Sequence, residues 1–156
     1  MLKFLSQIWS GLTAGNKATW ESRAALTNVS PFNAFVSSNQ NRWRSFKSPS
    51  KEDPAAEVGA GGTAPTTTPT GGIRQIQLSI ADGATPPAWG WLIYRSATTG
   101  FTPGYDTLIA AIPRTGTPTV FIDAPLEAGT YYYRVGGFSD DGVQGTLEAE
   151  KNATCT

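Results

Sequence analysis

Asp140 and Asp141 stand side by side before Gly142, and Asp106 and Asp123 lie upstream of them. Clustered carboxylates of this kind can ligate Ca²⁺, but the ion takes about six to eight oxygens, supplied at alternating positions. One Asp pair before a glycine is more simply a turn, where Asp accepts the bend and Gly supplies a positive φ. Carboxylate pairs of the glycosidase type converge only in three dimensions; here just 12 acids are available, several of them in turn-like stretches. Serine and threonine are plentiful, yet without histidine none has an evident activating base. No glycine-rich phosphate loop leads from a strand into a helix. Trp89 and Trp91 flank Gly90 and form a candidate ligand platform, on which a sugar or a protein partner could stack. Strand alternation puts both on one face, with at least one of them in the core. Asn28-Val29-Ser30 and Asn152-Ala153-Thr154 fit the N-glycosylation triplet, a pattern that arises often by chance.

Composition narrows the chemistry further. The absence of histidine removes the commonest general base near neutral pH and the commonest transition-metal ligand. Cys155 is the single cysteine, so no intramolecular disulfide forms and Cys/His zinc ligation is excluded. Its place near the chain end reads as a free thiol on a frayed tail, the alternative being a bond to another chain. No catalytic residue, metal or cofactor is expected. Residues 1–53 carry seven basic side chains against three acidic ones, and the remainder five against nine. That asymmetry points to two segments in different surroundings. The opening MLKFLSQIWSGLTAG is too interrupted by Ser6, Gln7 and Ser10 for a signal-peptide core, and no apolar run approaches a membrane span. A soluble chain is expected.

The elements that would position any site fall into three zones. In residues 1–48, Phe4, Leu5, Ile8, Trp9 and Leu12 recur at helical spacing, and Gly11 ends that helix. Thr13 caps a second helix carrying Trp20 and Ala24. Ser30-Pro31 opens a third, whose face bears Phe32, Phe35, Val36, Asn39, Trp43 and Phe46. So few residues make a marginal core by themselves. The expectation is therefore that Phe4, Ile8, Trp9, Trp20, Phe32, Phe35, Trp43 and Phe46 anchor the chain to another protein, with packing onto the chain itself as the plainer alternative. Residues 49–72, including PAAEVGAGGTAPTTTPTGG, read as a flexible linker or stalk, since Gly, Ala, Thr and Pro have little to bury.

Residues 73–151 read as short strands. Ile76, Leu78 and Ile80 alternate with polar residues, and Trp89–Arg95, Thr107–Ile112, Thr119–Asp123, Thr130–Gly136 and Gly145–Glu150 follow between turn signals. Residues 152–156 are left as a tail. The predicted fold is mainly β, a C-terminal sandwich preceded by a short helical segment and a Gly/Thr/Pro linker.

Ile93-Tyr94-Arg95-Ser96, Phe101-Thr102-Pro103-Gly104, Leu126 before Gly129-Thr130, and Tyr131–Val135 occur in an order that resembles fibronectin type III domains of bacterial and phage proteins. The resemblance implies an immunoglobulin-like β-sandwich with Tyr131 as its tyrosine-corner residue, Tyr133 and Val135 facing inward, and Tyr132 and Arg134 outward. No first strand is evident before Ile73. The segments around Trp9, Trp20 and Phe32–Asn39 are similar to helical pieces of small tailed-phage proteins.

Together these resemblances imply a non-enzymatic virion protein, a capsid decoration or fibre-like accessory. Its partners would be other virion proteins and copies of itself, with neither nucleic acid nor membrane. The alternatives are a module binding a host-surface glycan or receptor, and a subunit of a bacterial surface filament. Deleting residues 1–48 is expected to leave a folded, monomeric sandwich.

Overall fold

The computed structural model describes residues 2–45 and 47–156. Three helices come first: α1 (Leu2–Gly11), α2 (Ala14–Thr27) and α3 (Pro31–Arg44). The capping residues behave as their chemistry requires. The Thr13 hydroxyl accepts from the Asn16 amide at 3.2 Å, and the Ser30 hydroxyl from the Asn33 amide at 3.2 Å, each satisfying an orphan N–H of a helix start. Eight strands follow: β1 (Thr66–Gly72), β2 (Gln75–Ala81), β3 (Gly90–Ser96), β4 (Leu108–Pro113), β5 (Thr119–Asp123), β6 (Gly129–Phe138), β7 (Gln144–Leu147) and β8 (Lys151–Cys155). They form two antiparallel sheets, one ordered β1-β2-β5 and the other β4-β3-β6-β7, with β8 also on β6. The fold is thus mainly β, a two-sheet sandwich preceded by helices.

The helices make a third layer. Between the sheets, Ile76, Leu78 and Ile80 of β2 meet Trp91 and Ile93 of β3, Tyr133 and Val135 of β6, and Cys155 of β8. On the opposite face of the larger sheet, Leu92, Tyr94 and Phe138 share a second cluster with Phe4, Leu5, Trp20, Phe35 and Trp43. Gly90–Tyr94 is consequently buried along its whole length. Alternation along a strand sends successive side chains to opposite faces, so a strand covered on both sides needs apolar groups at every position.

The supposed linker is not free. Asn39, fully buried, clamps Ser50 with its amide at both ends: Nδ2 donates to the Ser50 carbonyl at 3.0 Å, and Oδ1 accepts from the Ser50 amide at 2.7 Å. The Trp20 indole donates to the Lys51 carbonyl at 2.7 Å. Gly61 then passes against the backbone of Gly145 so closely that a Cβ there would collide with it. Glycine made this stretch look mobile, but here it permits close approach of two backbones.

Residues 66–72, assigned by sequence to the linker, are a sheet strand. Thr66 pairs with Ala81 and Gly72 with Gln75. Pro69 is tolerated because β1 ends its sheet. This supplies the missing first strand before Ile73. The tail is likewise a strand: Gly129 pairs with Cys155 and Tyr133 with Lys151. Cys155 is buried, which corrects the expectation of a frayed terminal thiol.

Candidate functional site

The eight proposed anchoring residues lie as follows. Phe4, Trp20, Phe35 and Trp43 are buried within the chain. Ile8 and Trp9 pack against the same cluster as partly buried groups, and Phe32 is half-buried with its ring 5.8 Å from that of Trp9. Phe46 lies outside the described residues. The aromatic faces close on one another and on the sandwich: Phe4 meets Phe138 at 5.3 Å and Trp89 at 6.2 Å, and Trp20 meets Phe35 edge-on at 5.3 Å. Such tilted and edge-to-face pairs are favourable arrangements for aromatic quadrupoles. For Phe4, Trp20, Phe35 and Trp43 the expectation that burial requires a foreign protein is therefore corrected. The outer face of the larger sheet is apolar, and its Leu92, Tyr94 and Phe138 share one buried cluster with these four.

The two candidate platform tryptophans separate into different layers. Trp91 is buried between the sheets, with its Nε1–H 3.4 Å from the Thr119 hydroxyl. Trp89 precedes the strand and packs beside Phe138 at 6.4 Å in the helical layer. The reading of both on one face is corrected, while the reading of at least one of them in the core holds for Trp91; Trp89 is half-buried.

Acidic groups hold loops in place. Lys51 Nζ sits 2.8 Å from Asp141 and 3.0 Å from Asp140, which draws residues 50–53 to the β6–β7 hairpin. The hydrogen bond to Asp141, foremost, raises the lysine pKa. Gly142 follows with φ +89°, so the Asp-Asp-Gly stretch is the turn its composition suggested. Asp123 accepts from Arg95 at 2.8 Å and from the Tyr133 hydroxyl at 2.8 Å. Burial, chiefly, pushes the Tyr133 phenol up, and the adjacent carboxylate adds to it. Among the described residues no group of three or more His, Cys, Asp and Glu side chains could hold a metal ion.

Glu148 is the unusual acid. It is 5% exposed, its Oε1 accepts the Thr67 amide at 2.7 Å, and its Oε2 is buried without a partner. Burial raises its pKa, while Thr67 and Lys151 pull it back. A carboxyl whose folded pKa is raised favours folding when protonated. The native chain should therefore gain stability as pH falls from neutral through that raised pKa, until the unfolded carboxyl protonates as well. Glu148→Gln keeps an acceptor for Thr67 and removes the charge. It should be more stable than the native chain at neutral pH by about 1 kcal/mol, with the difference closing in mild acid. Urea unfolding of both proteins across this range measures the gap.

An open groove of about 380 Å³ lies where β4 crosses over to β5. Lys3, Phe4 and Gln7 of α1 form one wall; Ala111–Pro113, Thr115, Thr119 and Val120 form the other. Val120 and Ile122 are about half exposed, at 52% and 53%. Sequence reasoning passed over this place. Its one signal was Val120-Phe121-Ile122, three successive apolar residues in a short strand, which alternation cannot bury on a single face.

Tyr131 donates its hydroxyl to the Glu127 carbonyl at 3.1 Å, closing the tyrosine corner, while Tyr133 and Val135 point into the core. This corner sits on a sandwich of three strands packed against the β4-β3-β6 sheet. The sandwich is fibronectin-III-like. A β-1,2-glucanase from Parabacteroides distasonis matches it with a TM-score of 0.51 at 16% identity, over 67% of this chain and 14% of the glucanase. The chain thus spans a small part of that enzyme, and the likeness shows fold alone. An Fn3-like protein from Clostridium thermocellum matches with a TM-score of 0.41 at 26% identity, over 60% of this chain and 94% of its own. The PKD domain of an M14-like peptidase from a Thermoplasmatales archaeon matches with a TM-score of 0.34 at 15% identity, over 60% and 94%. No protein-family model and no curated protein matches the chain.

Proposed function

We propose that this chain is a non-enzymatic structural protein of a phage virion, a capsid-decoration or fibre-like accessory that presents a fibronectin-III-like sandwich. The observation that carries the reading is the shared cluster of Phe4, Trp20, Phe35, Trp43, Leu92, Tyr94 and Phe138. It joins helices and sandwich into one block, and a block of this kind suits a repeated building piece better than a head on a swinging stalk. The ionisable groups support the non-catalytic part. Lys51, Asp140, Asp141, Arg95, Asp123, Arg114 and Asp82 are engaged in ion pairs that fasten loops and strands. The virion part draws on the resemblance of Ile93–Ser96 and Tyr131–Val135 to fibronectin type III domains of phage proteins, and of the helical segments to small tailed-phage proteins. Attachment falls to exposed surface rather than to the aromatic stripes.

The test is composition of the particle. Virions banded from the source strain should contain this chain in a fixed number of copies, read by quantitative mass spectrometry. Recovery of the chain only from the particle-free lysate would refute the assignment.

A further inference from the structure

The groove between α1 and the β4–β5 crossover brings together three features. The first is a sheet edge. β4 ends its sheet, so one side of it has no neighbouring strand. The Arg114 amide donates to the Trp89 carbonyl, and Ile112 pairs with Trp91, which sets the alternation along the strand. Residues 112 and 114 turn their backbone groups toward β3, and Ala111, which is 8% exposed and lines the groove, has its N–H and C=O on the unpaired side of the strand. Free edges of this kind accept an added strand.

The second feature is charge. Among the described residues Lys3 is the one basic side chain with no ion pair, hydrogen bond or ring contact. Its counterparts are engaged: Lys17 lies over Trp9, Arg44 donates to Asn41, and Arg134 donates to the Glu148 carbonyl. Lys3 is exposed and lines the groove. The third feature is the apolar lining of Phe4, Ile112, Pro113 and Val120, beside the Gln7 amide. An edge that offers backbone bonds, an apolar wall and a single unmatched ammonium group fits a peptide in extended conformation.

We propose that this groove docks an extended segment of a partner protein, which adds to the free edge of β4 at Ala111 and carries a carboxylate to Lys3. Backbone bonds at the edge supply the affinity, and the Lys3–carboxylate pair supplies the preference for an acidic sequence. The inference needs only the groove and holds independently of the virion assignment.

The probe is the blocked hexapeptide acetyl-Thr-Val-Glu-Val-Thr-Val-amide, titrated into the ¹⁵N-labelled full chain. Its versions with Gln or Lys in place of Glu, and propionate as a bare carboxylate, serve as comparisons. The acidic peptide should shift the amides of Lys3, Ala111 and Val120. It should bind about threefold to fivefold more tightly than the Gln version, and the Lys version more weakly still. Lys3→Gln, an exposed change that leaves the core intact, should abolish the difference between the Glu and Gln peptides. Ala111→Pro removes the edge N–H and should weaken all three. The proposal is overturned if the peptide leaves these amides unmoved at millimolar concentration, if binding ignores the central charge, or if propionate alone reproduces the shifts.

Discussion

Removing residues 1–48 is expected to yield a chain that binds hydrophobic dyes and associates, rather than a folded, monomeric sandwich. The deletion uncovers Leu92, Tyr94 and Phe138, all buried now against the helices. At about 1.5–3 kcal/mol for each large side chain returned to water, the loss comes to about 5–9 kcal/mol. Domains of this size are stable by about 5–15 kcal/mol in total, so little would be left. Circular dichroism melting and size-exclusion chromatography on the truncated and full chains measure the outcome. A truncated chain that melts cooperatively within a few degrees of the full protein, as a monomer, would show the helices to be an ornament on an independent sandwich.

Phe138→Ala should be among the most damaging point substitutions, lowering stability by about 3–5 kcal/mol. Phe138 is fully buried at the end of β6, with Phe4 5.3 Å and Trp89 6.4 Å from its ring. The substitution opens a void beneath α1, and the surrounding aromatic rings can close it only in part. Val120→Ala, on an exposed position of β5, should change stability by no more than about 0.5 kcal/mol. Urea unfolding of the two variants side by side gives the comparison. Equal effects would mean that the helical layer is loosely held.

The parts of this structure that were legible in the sequence are those whose residues declare themselves locally. Ser30-Pro31 and Thr13 mark helix starts through their hydroxyls, and Ile76, Leu78 and Ile80 mark β2 by strict alternation. The sandwich followed from these signals and from the order of its turns. What failed was the destination of the helices. Their aromatic stripe announces that something covers it without saying what. The answer was written in Trp91-Leu92-Ile93-Tyr94, an unbroken apolar run that needs a cover on each side. Thr66–Gly72 gave no warning at all. Its inward positions include Thr67 and Pro69, and its register comes from β2, which is a tertiary effect that local composition cannot express. The candidate site suffered in the same way: Lys3 and Ala111 are far apart in sequence and unremarkable alone, and only the fold places them beside one groove.

The position of Cys155 has a practical consequence. Its sulfur is shielded beneath the last strand, where that strand pairs with the start of β6. Alkylating reagents act on an accessible thiolate, so modification must wait until this end of the sheet lifts. Because the chain has one cysteine, the rate of labelling gives a direct clock for how often the closing strand lets go.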